Sequence, residues 1–477
     1  MSQDPNYRRP PGRSPVSPSR PPRGEAQLRG PFLLCFGSAI LWLLLASVLG
    51  LIASLKLHLP SFLNSECLTF GHVVAAQKNA FIYGWACNAL FAVNLWLLSQ
   101  LGRFELRNGW LASLGGFIWN AALGYGVLQI FAGKMNGFSL LEMPREVGPV
   151  LMVAFLLVGF WPIVAFARRP TGHSFASQWF VVGAAFIFPI VYALTQLLVL
   201  WCPASGPVQA LAHSWFIQNL MLLWLGASGL AAVYYFIPKV LGRPLHGYYL
   251  ATVAFWTYFL FAGATAPSAL LGSPIPVWVQ SVGVVASIMM IIPIIITAIN
   301  FHGTLFQRGG WAQAWNSTTL RFVAFGAVSF TLAGLLNTVF STRGFNATVR
   351  FTEFAQGQEQ LLTYAFLTMV IFGAAYFILP RLTGALWPSA KLIHLHFWTT
   401  ALAVIGSVGV SLVHGYQVGH QLLNPAVTMA QVGSSSLALA GSIFALLFLI
   451  GHLAFALNAF SMIFSSSAPA DSEAQSD

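Results

Sequence analysis

Twelve apolar stretches follow one another along the chain, separated by short polar breaks. They lie near 31–55, 70–100, 110–133, 148–168, 175–200, 208–236, 247–271, 276–300, 318–340, 356–380, 393–420 and 430–464. A helical span needs roughly 20 apolar residues, so this pattern predicts twelve transmembrane helices. No period-two alternation competes with it, which excludes a β-barrel. The expected fold class is an all-α polytopic membrane bundle over residues 31–465. A Pro/Arg-rich tail at 1–30 and a small, polar tail at 466–477 are expected to be disordered.

Composition agrees: 57% of the 477 residues are hydrophobic and only 7% are charged. The net charge of +11 therefore does not signal nucleic-acid binding, and none is expected; the lipid bilayer is the first partner. Sixteen of the 22 basic residues fall on one side, in the N-terminal tail and the loops after even-numbered spans, from Arg8 to Lys391. By the positive-inside rule both termini are expected in the cytoplasm. The tail serves as a topology anchor or lies on anionic lipid headgroups. About thirty polar residues precede the first span, so no cleavable signal peptide is expected. Cys67 and Cys202 fall near the outer face, leaving a disulfide or two free thiols open.

Local motifs narrow the class. The sixth stretch and the loop after it read Tyr234-Tyr235-Phe236-Ile237-Pro238-Lys239, then Gly242-Arg243-Pro244 and Ala254-Phe255-Trp256. Four further runs join them: Leu68-Thr69-Phe70-Gly71 leading into Asn79 and Asn88, Gly272-Ser273-Pro274-Ile275-Pro276-Val277-Trp278, Phe345-Asn346-Ala347 with Phe351-Thr352-Glu353-Phe354, and Leu379-Pro380-Arg381-Leu382 followed by His396-Phe397-Trp398. Taken in order, these motifs resemble subunit I of the heme–copper oxidases, and within it the cbb3-type cytochrome c oxidases; nitric oxide reductases are more distant. The resemblance covers about residues 31–465. It implies a twelve-helix bundle in the cell inner membrane, two hemes and one copper, and membrane-anchored cytochrome c-type or other respiratory subunits as partners.

The same resemblance identifies where six metal-binding histidines would stand, and none is histidine. The low-spin heme positions are Gln77 and Gln360, and the high-spin heme position is Gln358. The copper positions are Gln218, Ser268 and Ala269. A tyrosine beside copper becomes Ala262, and a histidine near heme propionates becomes Arg350. Imidazole serves iron and copper because it binds both well and can be oriented through its second nitrogen. A neutral amide is a poor heme ligand. His72 and His213 each stand five residues before Gln77 and Gln218, about 140° around a helix, so neither substitutes. All eleven histidines are expected to be satisfied interfacial or core residues, and no cofactor or catalytic residue is expected.

Two charges adjoin these positions, Lys78 and Glu359. A buried charge needs a partner, which gives two readings: a Lys78–Glu359 ion pair filling space a heme would occupy, or side chains turned toward other helices. Three functions stay open. The first is a non-catalytic homologue acting as scaffold or partner in a respiratory membrane complex. The second is an active oxidoreductase of aerobic or nitric oxide respiration that binds heme in a non-standard way. The third is a channel, transporter or quinone or other hydrophobic-ligand site in the space the hemes would leave.

Overall fold

The computed structural model describes residues 23–465 except 103–105, 107, 170–171, 173, 308, 430–431 and 433–436. Among the described residues, twelve helices are long and apolar enough to span a bilayer: α1 (Gln27–Lys56), α2 (Phe70–Gly102), α3 (Gly109–Phe131), α4 (Val147–Ala167), α5 (Ala176–Trp201), α6 (Pro207–Leu241), α7 (Leu250–Leu270), α8 (Val277–Phe306), α9 (Thr318–Phe340), α10 (Glu353–Thr383), α11 (Ala390–Leu423) and α12 (Leu439–Phe464). The sequence pattern therefore holds span by span. Helical structure reaches back from α1 to Arg23, eight residues into the segment expected to be tail. Residues 1–22 and 466–477, including both expected disordered ends, lie outside the described residues. Cys67 and Cys202 are exposed free thiols rather than a disulfide.

Local chemistry sets several boundaries. Ser317, Thr69 and Ser389 accept the backbone N–H groups of Leu320, His72 and Leu392 at helix starts, satisfying donors that the first turn leaves orphaned. Gly242 and Gly384 end α6 and α10 at φ 66° and 71°, a left-handed conformation that costs glycine little.

Three spans form the inside of the bundle. The apolar windows of α2, α6 and α10 are 100%, 89% and 83% buried, against 33–50% for the other nine. They carry all three glutamine clusters. Polar ties and close approaches lock them together. Trp85 Nε1 donates to Thr368 Oγ1 at 3.0 Å between α2 and α10, and Asn94 Nδ2 donates to Ser228 Oγ at 3.1 Å between α2 and α6. Gly229 of α6 meets Phe366 of α10 so closely that a Cβ there would lie 2.7 Å from its ring. In lipid there is no hydrophobic drive between helices, so such packing and hydrogen bonds carry the association.

A second lock joins the inner spans to the outer ones. Trp42 Nε1 donates to Asn120 Oδ1 at 2.7 Å. Asn88 and Asn120 exchange amide bonds at 3.0 and 3.2 Å, and Asn88 is fully buried. Gly84 makes room: a Cβ there would lie 2.5 Å from Trp42 Cγ. Asn120→Leu strips a partner from the half-buried Trp42 indole N–H and from the buried Asn88 amide, and is expected to cost about 1–3 kcal/mol. Thermal unfolding in detergent checks this against Leu128→Ala, a change at a side chain 67% exposed on the lipid side; an unchanged midpoint for Asn120→Leu alone would show the lock to be dispensable.

Candidate functional site

The glutamine clusters on α2, α6 and α10 are each followed within three residues by a stretch of wide π turns, at 80–87, 220–226 and 361–368. Such turns are uncommon and gather at functional positions. Here they mark the same level of the three innermost spans.

On one side of α10 the space between helices is filled. Gln77 Nε2 donates to Tyr364 Oη at 3.1 Å. About one turn along from Gln77 and Gln360, the rings of Phe81 and Tyr364 stack with centroids 4.0 Å apart and planes within 12°. Phe448 of α12 closes on Tyr364 at 5.0 Å. Gln360 is half-buried and its Oε1 has no hydrogen-bond partner. Aromatic rings thus join α2 directly to α10.

On the other side the bundle encloses a cavity of about 310 Å³. Gln218, Ser268, Gln358 and Glu359 all line it. Gln358 Nε2 donates to the Ala333 carbonyl at 2.8 Å, leaving its Oε1 unpartnered. Ser268 Oγ donates to the Thr265 carbonyl at 2.8 Å and accepts from Ser287 Oγ at 3.1 Å. Ala269 shares the tight turn Ala266–Leu270 with Ser268 but is not part of the cavity wall. Gln358 and Gln360 therefore face opposite sides of α10, as two residues and about 200° of rotation require. Glu359 keeps accessible surface and lines the cavity.

The Lys78–Glu359 ion pair does not form. Among the described residues the ion pairs are Arg145–Glu146 at 3.3 Å and Glu353–His414, and Lys78 stays more than 4 Å from any carboxylate. The reason lies in the α3–α4 loop, which folds over the end of α2. Its Glu142 is buried and accepts Asn79 Nδ2 at 2.8 Å, so Lys78 acts on two carboxyls, Glu142 and Glu359, without touching either. Burial raises the Glu142 carboxyl above its usual range, while the Asn79 bond, backbone N–H groups and Lys78 pull it partly back.

Several residues of the site carried no legible signal in the chain. Tyr258 lines the cavity and donates to the Leu222 carbonyl at 2.9 Å; it stands one helical turn before the buried Ala262, the position at which the family resemblance implies a tyrosine. Asn337 and Ser341 likewise gave no signal, and they join Asn346 and Arg350, both singled out by the family resemblance, in another part of the wall. Arg350 sits over the Phe340 ring at 5.4 Å, and burial pulls its guanidinium down to about 10. The histidines are dispersed. His213 bonds the Ser139 carbonyl at 2.9 Å. His396, His452 and His414 each pair one nitrogen, with Tyr376, Ser47 and Glu353, and leave the other unpartnered; His58 and His72 also bury an unpartnered Nδ1, so the expectation of fully satisfied histidines fails for these five. No three His, Cys, Asp or Glu side chains converge as a metal-binding group among the described residues.

Comparison with known proteins now gives this geometry a context. The profile of the family described as cytochrome c and quinol oxidase polypeptide I matches residues 31–447. The chain belongs to this family. It is 26% identical to the cbb3-type cytochrome c oxidase subunit CcoN1 of Stutzerimonas stutzeri over 77% of this chain and 78% of that one. It is 25% identical to a cytochrome c oxidase subunit 1 homolog of Agrobacterium tumefaciens (strain T37), covering 80% of this chain and 72% of the relative. A heme–copper terminal oxidase dimer solved by cryo-EM superposes with a TM-score of 0.77 at 14% identity, over 94% of this chain and 85% of that one. The twelve-helix oxidase subunit I fold is thereby shown.

Two outcomes are expected. Adding hemin to the Gln77→His/Gln360→His variant should give no bis-imidazole low-spin spectrum, because Phe81 and Tyr364 occupy the gap; adding Phe81→Ala and Tyr364→Ala should allow one. For Glu142, a folded value above the unfolded one means that the folded state holds its proton more tightly. Its contribution is therefore greatest below the usual glutamate value of about 4.3 and is lost as pH rises through the raised folded value. The thermal midpoint should fall over that window, and Glu142→Gln should flatten the slope; a slope identical in both proteins would assign the pH dependence elsewhere.

Proposed function

We propose that this chain is a non-catalytic member of the cytochrome oxidase subunit I family, acting as a scaffold or partner within a respiratory complex of the bacterial inner membrane, with both termini in the cytoplasm. The observation that carries this reading is the joint state of Gln77, Phe81 and Tyr364. The amide at a position expected to bind low-spin heme is committed to a tyrosine hydroxyl, and an aromatic stack fills the gap one turn, about 5.4 Å, away. A heme macrocycle between α2 and α10 needs that gap.

The donors do not suit the family's metals. Gln77, Gln218, Gln358 and Gln360 offer neutral amides where imidazole is expected, and Ser268 and Ala269 offer a hydroxyl and a methyl group. Heme iron is held by His, Cys, Met or Tyr, and copper sites are built mainly from imidazole and sulfur ligands. No step of oxygen or nitric oxide chemistry is therefore assigned to this chain. What its own residues supply is a rigid inner triad of helices and an outer surface able to dock other membrane subunits. The cavity favours a second reading alongside the scaffold role, that of a ligand-binding membrane protein.

The visible spectrum of the purified full-length protein, with iron and copper analysis, tests the proposal. No Soret band and substoichiometric metal are expected. A Soret band with one or two irons per chain overturns it in favour of an active oxidoreductase with unusual heme ligation. Co-purification of a c-type cytochrome with a heme-free chain supports the scaffold role.

A further inference from the structure

The cavity beside Gln358 has a polar cluster where α9 meets α10, and the rest of its wall mixes apolar side chains with Gln218, Ser268, Ser287, Gln358 and Glu359. Asn337, Ser341, Asn346 and Arg350 gather where α9 ends and α10 begins. Phe330 lies seven residues back along α9, about 10 Å deeper at 1.5 Å per residue, and Met221, Leu222, Met290 and Ile294 surround it. The volume of about 310 Å³ falls at the small end of ligand pockets, which are mostly apolar with a few placed polar groups.

Charge within the cavity is unevenly matched. Glu359 has Lys78 as an electrostatic counter-charge. Arg350 has none: among the described residues its guanidinium meets the Phe340 ring but no carboxylate. A largely buried guanidinium without an anion is costly, and its planar fork matches a carboxylate in two-point fashion. A small hydrated anion would answer the charge but leave the apolar floor unfilled.

The geometry points to this cavity as the binding site of a single-chain amphipathic carboxylate, its head on Arg350 and its tail along Leu222, Met290, Ile294 and Phe330. The inference rests on the proposed heme-free state of this space. Glu359 also lines the cavity and forms no ion pair with Arg350. A ligand so placed would bridge α6, α8, α9 and α10 and stiffen the half of the bundle that side-chain packing leaves open.

The test uses the full chain in lipid nanodiscs with three probes of equal length: decanoate, decanol and decyltrimethylammonium. Decanoate is expected to bind roughly tenfold to a hundredfold more tightly than decanol, the range of a charge-assisted hydrogen bond. Arg350→Gln should abolish that preference, and Arg350→Lys should restore part of it with an unchanged elution profile. A decanoate analogue with a terminal diazirine should label the segments around Phe330 and Ile294, a readout that needs no variant. Equal binding of decanoate and decanol, a preference for the ammonium that Glu359→Gln removes, or labelling confined to the lipid-facing surface each overturns the proposal. Iron analysis of the same preparation separates the two failures. Stoichiometric heme sinks the underlying reading, whereas metal-free protein with no decanoate preference sinks only this one.

Discussion

Everything in this protein depends on three helices that have to hold together without the help of water. Inside a bilayer, helix association draws on close packing and a few hydrogen bonds, since lipid tails are as apolar as the side chains they would replace. The α2–α6–α10 triad meets that requirement with Trp85–Thr368, Asn94–Ser228 and the Gly229–Phe366 approach. Two outer spans, α1 and α3, are tied to the triad at α2 through the Trp42–Asn120–Asn88 network.

The level of the glutamines has been resolved in two different ways. Between α2 and α10 the gap is closed by Phe81, Tyr364 and Phe448, with Gln77 tied into the closure. Between α6, α8, α9 and α10 it is left as a cavity with an unmatched guanidinium at its mouth. A closed, fully packed gap favours a structural role. An open, charged one asks for an occupant. Both conditions occur in one chain because α10 presents opposite faces at Gln358 and Gln360, so each side could change independently.

Much of the fold was legible in the chain. Run length alone marks the spans, because the bilayer demands a stretch of apolar residues that soluble packing seldom does. Local motifs such as Tyr234 to Lys239 carry the family scaffold, and the glutamine positions follow from their distance to such motifs. The side-chain partners did not follow. Lys78 and Glu359 lie on two helices for which the sequence left an ion pair and side chains turned elsewhere both open; Glu142, from a loop whose path the sequence does not reveal, comes close to Lys78, and no ion pair forms. His396 and His452 are ordinary apolar-helix histidines in sequence; only packing shows that each keeps an unpartnered nitrogen. Tyr258 gave no signal because only the facing helix makes a tyrosine a cavity residue.

By itself the sequence determined the twelve spans, their all-helical character and the absence of histidine at six expected ligand positions. The spans and their helical character follow from composition and period, which a single segment carries within itself, whereas the six ligand positions are what the family resemblance implies. Tertiary structure alone decided what stands in the place of the ligands. Tyr364 reaches Gln77 across 287 residues of chain, and Arg350 lacks a carboxylate only because of where every other element has come to rest. Whether a polar side chain is satisfied, stranded or facing open space depends on neighbours brought together by packing, and no local pattern specifies them.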